Sequence, residues 1–171
     1  MEHLLLILIK YNMLINFLKY SILSLVLTSN VNDMNIVETA VSNDNFSTLV
    51  AAVQAGELVD ALSSEGPFTV FAPTNDGFNK LPEGTLGTLL KPENKKKLQD
   101  ILTYHVVAAK VPSSKVSAGK VAMVNKKHAK ISIKNGKVMI DKANVVKTDI
   151  MASNGVIHVI DQVILPPASK N

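Results

Sequence analysis

The run Val156-Ile157-His158-Val159-Ile160-Asp161, opened by Asn154-Gly155 and stopped by Pro166-Pro167, constrains this chain more than any other stretch. Its apolar residues occupy both faces of an extended segment, so neither face is left for water. Such a strand belongs in the centre of a sheet or between two layers. A second run of this kind lies far upstream, with Phe68, Val70 and Ala72 on one face and Thr69 and Phe71 on the other. The 171 residues contain no cysteine, so packing alone holds that core, and disulfide, cysteine–zinc and thiol chemistry are excluded.

Around these strands the periodicity changes once. Upstream, a helix is expected to start around Ile36 and Val37. Asp44 is expected to cap a clearer helix with Phe46, Leu49, Val50 and Val53 at helical spacing and Gly56 at its end. Leu58, Val59 and Leu62 make a third short piece, and Gly66-Pro67 turns into the first strand. After Pro73 ends that strand, Thr74 caps the next helical turn and Asp76 suits its positive end, while Phe78 and Leu81 return it to the core. Leu86, Leu89 and Leu90 form another apolar face. Pro92 opens a helix with Leu98, Ile101, Leu102 and His105 on one side and Lys95, Lys96 and Lys97 on the other. From Val106 onward the pattern is one of short strands, and Asn135-Gly136 marks a two-residue hairpin between Ile131–Ile133 and Val138–Ile140. Helices first and strands second favour an α+β domain over alternating βαβ units.

Residues 1–30 read differently. Leu4 to Ile9, Leu14 to Leu18 and Ser21 to Leu27 are apolar, with Lys10 and Lys19 between them. These lysines break the uninterrupted stretch of about 20 residues that a membrane helix needs. The segment is expected to be a signal peptide or an uncleaved N-terminal membrane anchor, with Met1 or Met13 as its start. Residues 31–168 are then expected to form one domain, and 169–171 a tail.

Three segments now carry a resemblance. Thr69-Val70-Phe71-Ala72-Pro73-Thr74-Asn75-Asp76-Gly77-Phe78-Asn79-Lys80-Leu81 resembles the first signature of the fasciclin domain family. Leu102-Thr103-Tyr104-His105-Val106-Val107 resembles its central tyrosine–histidine motif, and Asn154 to Asp161 with Val163 to Pro166 its closing segment. All three stand in the family's order between about Asn35 and Pro166. The resemblance implies a wedge-shaped β-sandwich with helices packed along one side and the first and last signature segments as neighbouring central strands, in a secreted or cell-surface protein (periplasmic or extracellular in a bacterium). It also implies binding roles for Tyr104 and His105, and for Asp149 and Ile150 within Lys147-Thr148-Asp149-Ile150-Met151. The flanking Leu102 and Val106 point to a structural role for the first pair. Gly77 stands where the family usually has a small helix former, which costs the short helix about 1 kcal/mol relative to alanine.

Charge supplies the remaining signal. All 18 basic residues are lysine, which argues against bidentate reading of phosphate or guanine and so against nucleic acid. Between Lys110 and Lys147 ten lysines face one acid, Asp141, and Lys126, Lys127 and Lys130 are the candidate contacts for an anionic polysaccharide or surface. The simpler reading is that these lysines coat solvent faces and guard sheet edges. His105, His128 and His158 lie on separate elements without metal-binding spacing, so no metal or other cofactor is expected, and His158 reads as a hydrogen-bonded core histidine. No nucleophile elbow or phosphate loop is present, so no enzymatic activity is expected. The function that the family resemblance implies is adhesion, through matrix, cell-surface or polysaccharide contact. The alternative it implies is carriage of an apolar pigment or lipid in a groove of the same fold.

Overall fold

In the computed structural model, which describes residues 34–167, the two doubly apolar runs lie side by side. Strand β1 (Phe68–Pro73) pairs in parallel with β7 (Gly155–Ile160), in register from Phe68–Gly155 to Pro73–Ile160. All six residues of β7 are buried. The remaining strands are β2 (Val106–Val107), β3 (Gly119–Ala122), β4 (His128–Lys134), β5 (Lys137–Ile140) and β6 (Ala143–Ala152). The sheet order is β2-β1-β7-β6-β5-β4-β3, and every pair other than β1–β7 is antiparallel.

Side-chain alternation along β1 and β7 sorts the core into two clusters. Val70, Ala72, Ile157 and Val159 face the helices, meeting Phe46, Leu49, Leu98 and Leu102 among others. Phe71 and Ile160 face the opposite way, toward Met123, Ala129, Ile140 and Ala143. The helical layer comprises α1 (Ile36–Val41), α2 (Ser47–Ala55), α3 (Val59–Ser63), α4 (Asn75–Asn79), α5 (Thr85–Leu89) and α6 (Lys95–Thr103). The second layer is β3–β5, which bends back over β1 because β6 carries register shifts between Val145 and Lys147 and between Lys147 and Ile150. The β3–β4 turn closes this layer onto β2, where the Val124 N–H donates to the Val106 carbonyl at 2.8 Å. The result is the expected α+β sandwich with helices along one side.

The first signature segment acts as a clamp. Thr74 Oγ1 accepts the Gly77 N–H at 3.2 Å, as expected of a cap. Asn75 reaches further, accepting the Thr48 N–H at 3.0 Å and donating to the Asp44 carbonyl at 2.8 Å. This corrects the expected role of Asp44. It lies inside a 3₁₀ turn capped by the Asn43 side chain, and the free N–H at the start of α2 is satisfied by Asn75 from a distant part of the chain. Gly77 also has a different rationale from a simple helix weakness. A Cβ there would lie 3.1 Å from Gln162 Cα and 3.2 Å from the Asp161 carbonyl, so the missing side chain lets α4 sit against the exit of β7.

Two features were not anticipated. Strand β6, the longest at ten residues, has no clean alternation because its bulges reset which side chain faces inward. The second Asn-Gly pair is a junction between layers: Asn154 Oδ1 accepts the Ile36 N–H at 2.9 Å, and its amide donates to the Leu62 and Ser64 carbonyls at 2.8 Å each. Gly155 follows because a Cβ there would lie 2.1 Å from the Phe68 carbonyl oxygen. The expected leader at 1–30 and tail at 169–171 fall outside the described residues, and within those no helix is long and apolar enough to cross a membrane.

Gly155→Ala therefore forces the β1–β7 pair apart. It is expected to cost at least about 3 kcal/mol in urea denaturation, in the upper range of single substitutions. Gly87→Ala, in α5 with nothing within 4 Å of its Cβ, is expected to gain about 0.5–1 kcal/mol.

Candidate functional site

Tyr104 and His105 follow α6 directly, and the chain turns there so that the two side chains diverge. Tyr104 is 1% exposed and packs in the cluster between the sheet layers. Its hydroxyl lies 2.9 Å from Asp141 Oδ2 and 3.1 Å from the His128 carbonyl, bridging the end of β5 to the start of β4. Burial, together with the carboxylate beside it, pushes the phenol pKa upward, so the hydroxyl stays protonated.

His105 is 3% exposed and faces the helical layer. Its Nε2 accepts the Ile164 N–H at 3.1 Å, which leaves the proton on Nδ1, and Nδ1 donates to the Ile101 carbonyl at 2.8 Å. The imidazole thus joins α6 to the segment after β7. Burial pushes its pKa down to about 4, against a smaller upward pull from the bond to Ile101.

Asp149 and Ile150 lie on β6. Asp149 adopts a left-handed conformation at φ 59°, which aspartate tolerates better than most residues. Its carboxylate accepts the Ser113 hydroxyl and the Ser113 N–H, and these bonds hold its pKa below the ordinary value. Its N–H donates to His158 Nδ1 at 3.3 Å, while His158 Nε2 donates to the Val111 carbonyl at 2.8 Å. Serine, aspartate and histidine therefore meet here without a serine–histidine bond. Both imidazole nitrogens are taken by backbone, and the group ties the segment after β2 to the centre of the sheet. Ile150 is half-buried against the helical core.

The three candidate lysines separate. Lys127 is bonded to Asp100 at 2.8 Å and holds that carboxyl below its ordinary pKa. Lys126 is exposed in the β3–β4 turn, at φ 67°. Lys130 is exposed on β4, opposite Lys120 of β3, and its N–H donates to Asp141 Oδ1 at 2.8 Å. Lys130, Tyr104 and Asp141 come together at an open cleft of about 640 Å³, together with Lys80, His128, Lys142 and Gln162. Of these, Lys80, His128, Asp141, Lys142 and Gln162 were not singled out as contacts by the sequence. Asp141 did carry a signal, as the one acid among ten lysines.

A second, separate space lies between the helices and β1, a cavity of about 70 Å³ lined by apolar side chains such as Ile36, Leu49, Val53, Val70 and Leu102, with His105 at its wall. Among the described residues, no group of three or more histidine and carboxylate side chains is placed to hold a metal ion.

The unfolded chain protonates His105 before the folded one does. Its contribution to stability is therefore complete above pH 6.5 and is lost as the pH falls from there through about 4, by roughly 3 kcal/mol in all. Urea titrations across this window are expected to show that loss, and His105→Gln, less stable at pH 7, is expected to flatten it. Tyr104→Phe is expected to cost about 1–2 kcal/mol at pH 7, since Asp141 keeps its bond to Lys130 N–H.

Comparison with known proteins agrees with this architecture. The chain matches the fasciclin domain model over residues 44–166. It is 60% identical over 134 residues to Protein sll1483 of Synechocystis sp., covering 78% of this chain and 74% of that one. It is also 43% identical over 143 residues to transforming growth factor-beta-induced protein ig-h3 of Sus scrofa, covering 80% of this chain but 20% of that longer one. Among solved structures, a FAS1 domain pair from the insect cell adhesion molecule fasciclin I superposes with a TM-score of 0.69 at 19% identity, over 77% of this chain and 51% of that one. With its signature segments forming the paired central strands and the clamp that joins them to the helices, the chain belongs to the fasciclin domain family.

Proposed function

We propose that this fasciclin domain is a non-enzymatic adhesion module of a secreted or cell-surface protein, which contacts matrix, cell-surface or polysaccharide partners through its outer sheet face. The observation that carries this reading is the cross-strand arrangement of lysines. Lys120 stands directly opposite Lys130, and Lys134 directly opposite Lys137, all four exposed on the face of β3–β5 that points away from the core. Like charges at opposed positions destabilise a sheet, and an anionic partner relieves that repulsion. Among the described residues none of the four has a carboxylate within salt-bridge distance. The non-enzymatic part of this reading is supported by the state of three polar groups: His105 and His158 use both ring nitrogens on backbone atoms, and Ser113 is bonded to Asp149.

The carrier reading has one observation in its favour, the apolar cavity between helices and sheet. Its volume of about 70 Å³ is well below the roughly 300–1,000 Å³ of sites that enclose a small-molecule ligand. A pigment or lipid would have to part α1 and α2 from β1, and its co-purification with the protein would favour this second reading.

The adhesion reading is checked by retention on an immobilised acidic polysaccharide. The protein is expected to bind at low ionic strength and to elute as salt rises toward about 0.5 M, where the screening length falls to a few ångströms. Replacing Lys120, Lys130, Lys134 and Lys137 together by glutamine is expected to weaken binding at least about tenfold, near 1.4 kcal/mol. Passage through the column without retention at low salt would remove the reading.

A further inference from the structure

We infer that the open cleft beside Tyr104 is the specific subsite of the lysine face, a pocket for one acidic sugar residue carrying a carboxylate or a sulfate. The inference rests on the polysaccharide-contact reading above and locates it.

The cleft is assembled from parts distant in sequence: Lys80 after α4, Lys130 on β4, Lys142 in the β5–β6 turn, and Gln162 and Leu165 after β7. Among the described residues its three lysines face one lining carboxylate, Asp141, so an anion enters a site with excess positive charge. Asp141 is itself held in place, with Oδ1 taking the Lys130 N–H at 2.8 Å and Oδ2 the Tyr104 hydroxyl at 2.9 Å. Lys80 makes one long contact, 3.4 Å to Asp161, across an exposed rim. Among the described residues Lys130 and Lys142 have no salt-bridge partner.

Volume and chemistry select the ligand class. At about 640 Å³ the space falls within the range of small-molecule sites, unlike the cavity behind His105. Leu81, Pro82 and Leu165 give it an apolar wall beside the charges, which suits a sugar ring that presents C–H groups on one side and an acid on the other. Gln162 and the remaining lone pairs of Asp141 offer partners for hydroxyl groups. A bare phosphate would leave the apolar wall unused, and the lysines lack the planar fork with which arginine grips it. Tyr104 serves here as a positioning residue, since its hydroxyl orients Asp141 and the His128 backbone at the floor without being free to bind.

The test is titration of the ¹⁵N-labelled protein with uronic-acid tetrasaccharide, with sulfated and neutral tetrasaccharides and inorganic phosphate as further arms. Amide shifts are expected to centre on Lys80, Leu81, Lys142, Gln162 and Leu165 with an acidic sugar, and whichever of the carboxylated and sulfated arms binds more tightly identifies the acid. Lys142→Gln is expected to weaken binding about five- to tenfold and Lys80→Gln about threefold, while Lys134→Gln and Lys137→Gln leave tetrasaccharide binding within about twofold and lower only retention on the polymer. Shifts confined to the β4–β5 hairpin, equal binding of the neutral sugar, or equal binding of phosphate would each overturn the subsite. Retention on the polymer would survive those outcomes, so failure of the subsite and failure of the adhesion reading are told apart.

Discussion

The parallel pairing of β1 with β7 is the constraint on which the rest of the domain depends. It joins the first signature segment to the last across all the chain between them, and each strand gains its central place in the sheet only when the two meet. Closing so long a loop is costly in entropy. The cost is offset because the pair, once formed, presents an apolar surface to each side and seeds both cores together. Such close pairing needs glycine at 155, where the Phe68 carbonyl occupies the place of a side chain.

From that pair outward, polar side chains fix the layers. Asn75 caps a helix to which it does not belong, Asn154 ties the β6–β7 turn to α1 and α3, and His105 links α6 to the segment after β7. Each bonds backbone groups of another part of the fold, and at His105 the Ile164 N–H is buried and would otherwise have no partner among the described residues. Adhesive or not, the tyrosine–histidine motif is first a structural joint, with one side chain in each core. The contact surface proposed above is the outer face of β3–β5 and the cleft at its edge.

Much of the architecture was legible beforehand, because strong apolar patterns survive in isolation. The doubly apolar runs marked the central strands, the spacing of Leu98, Ile101 and Leu102 marked α6, and Asn135-Gly136 marked the hairpin, where both residues have positive φ. Strand β6 was not legible, since its register shifts put successive side chains out of phase with any period-two pattern. Asp44 was a reasonable local cap, but Asn75 satisfies the start of α2 from outside it. The site was read less completely than the fold. Tyr104 and Lys130 were singled out, while Lys80, Lys142 and Gln162 gain meaning only where the chain brings them to one cleft.

The sequence by itself determined the α+β class, the central strands, the family and the excess of lysine over acid in the second half, because each is written in local composition or in the order of short motifs. Only the tertiary structure decided the rest. Adjacent in the chain, Tyr104 and His105 bury in opposite cores, because the backbone turns sharply between the end of α6 and β2. Lys127 is drawn to Asp100, while Lys130 meets Asp141 through its backbone N–H and has no salt-bridge partner among the described residues. Those outcomes depend on which distant groups share a neighbourhood, and pairing across layers settles that where sequence spacing does not.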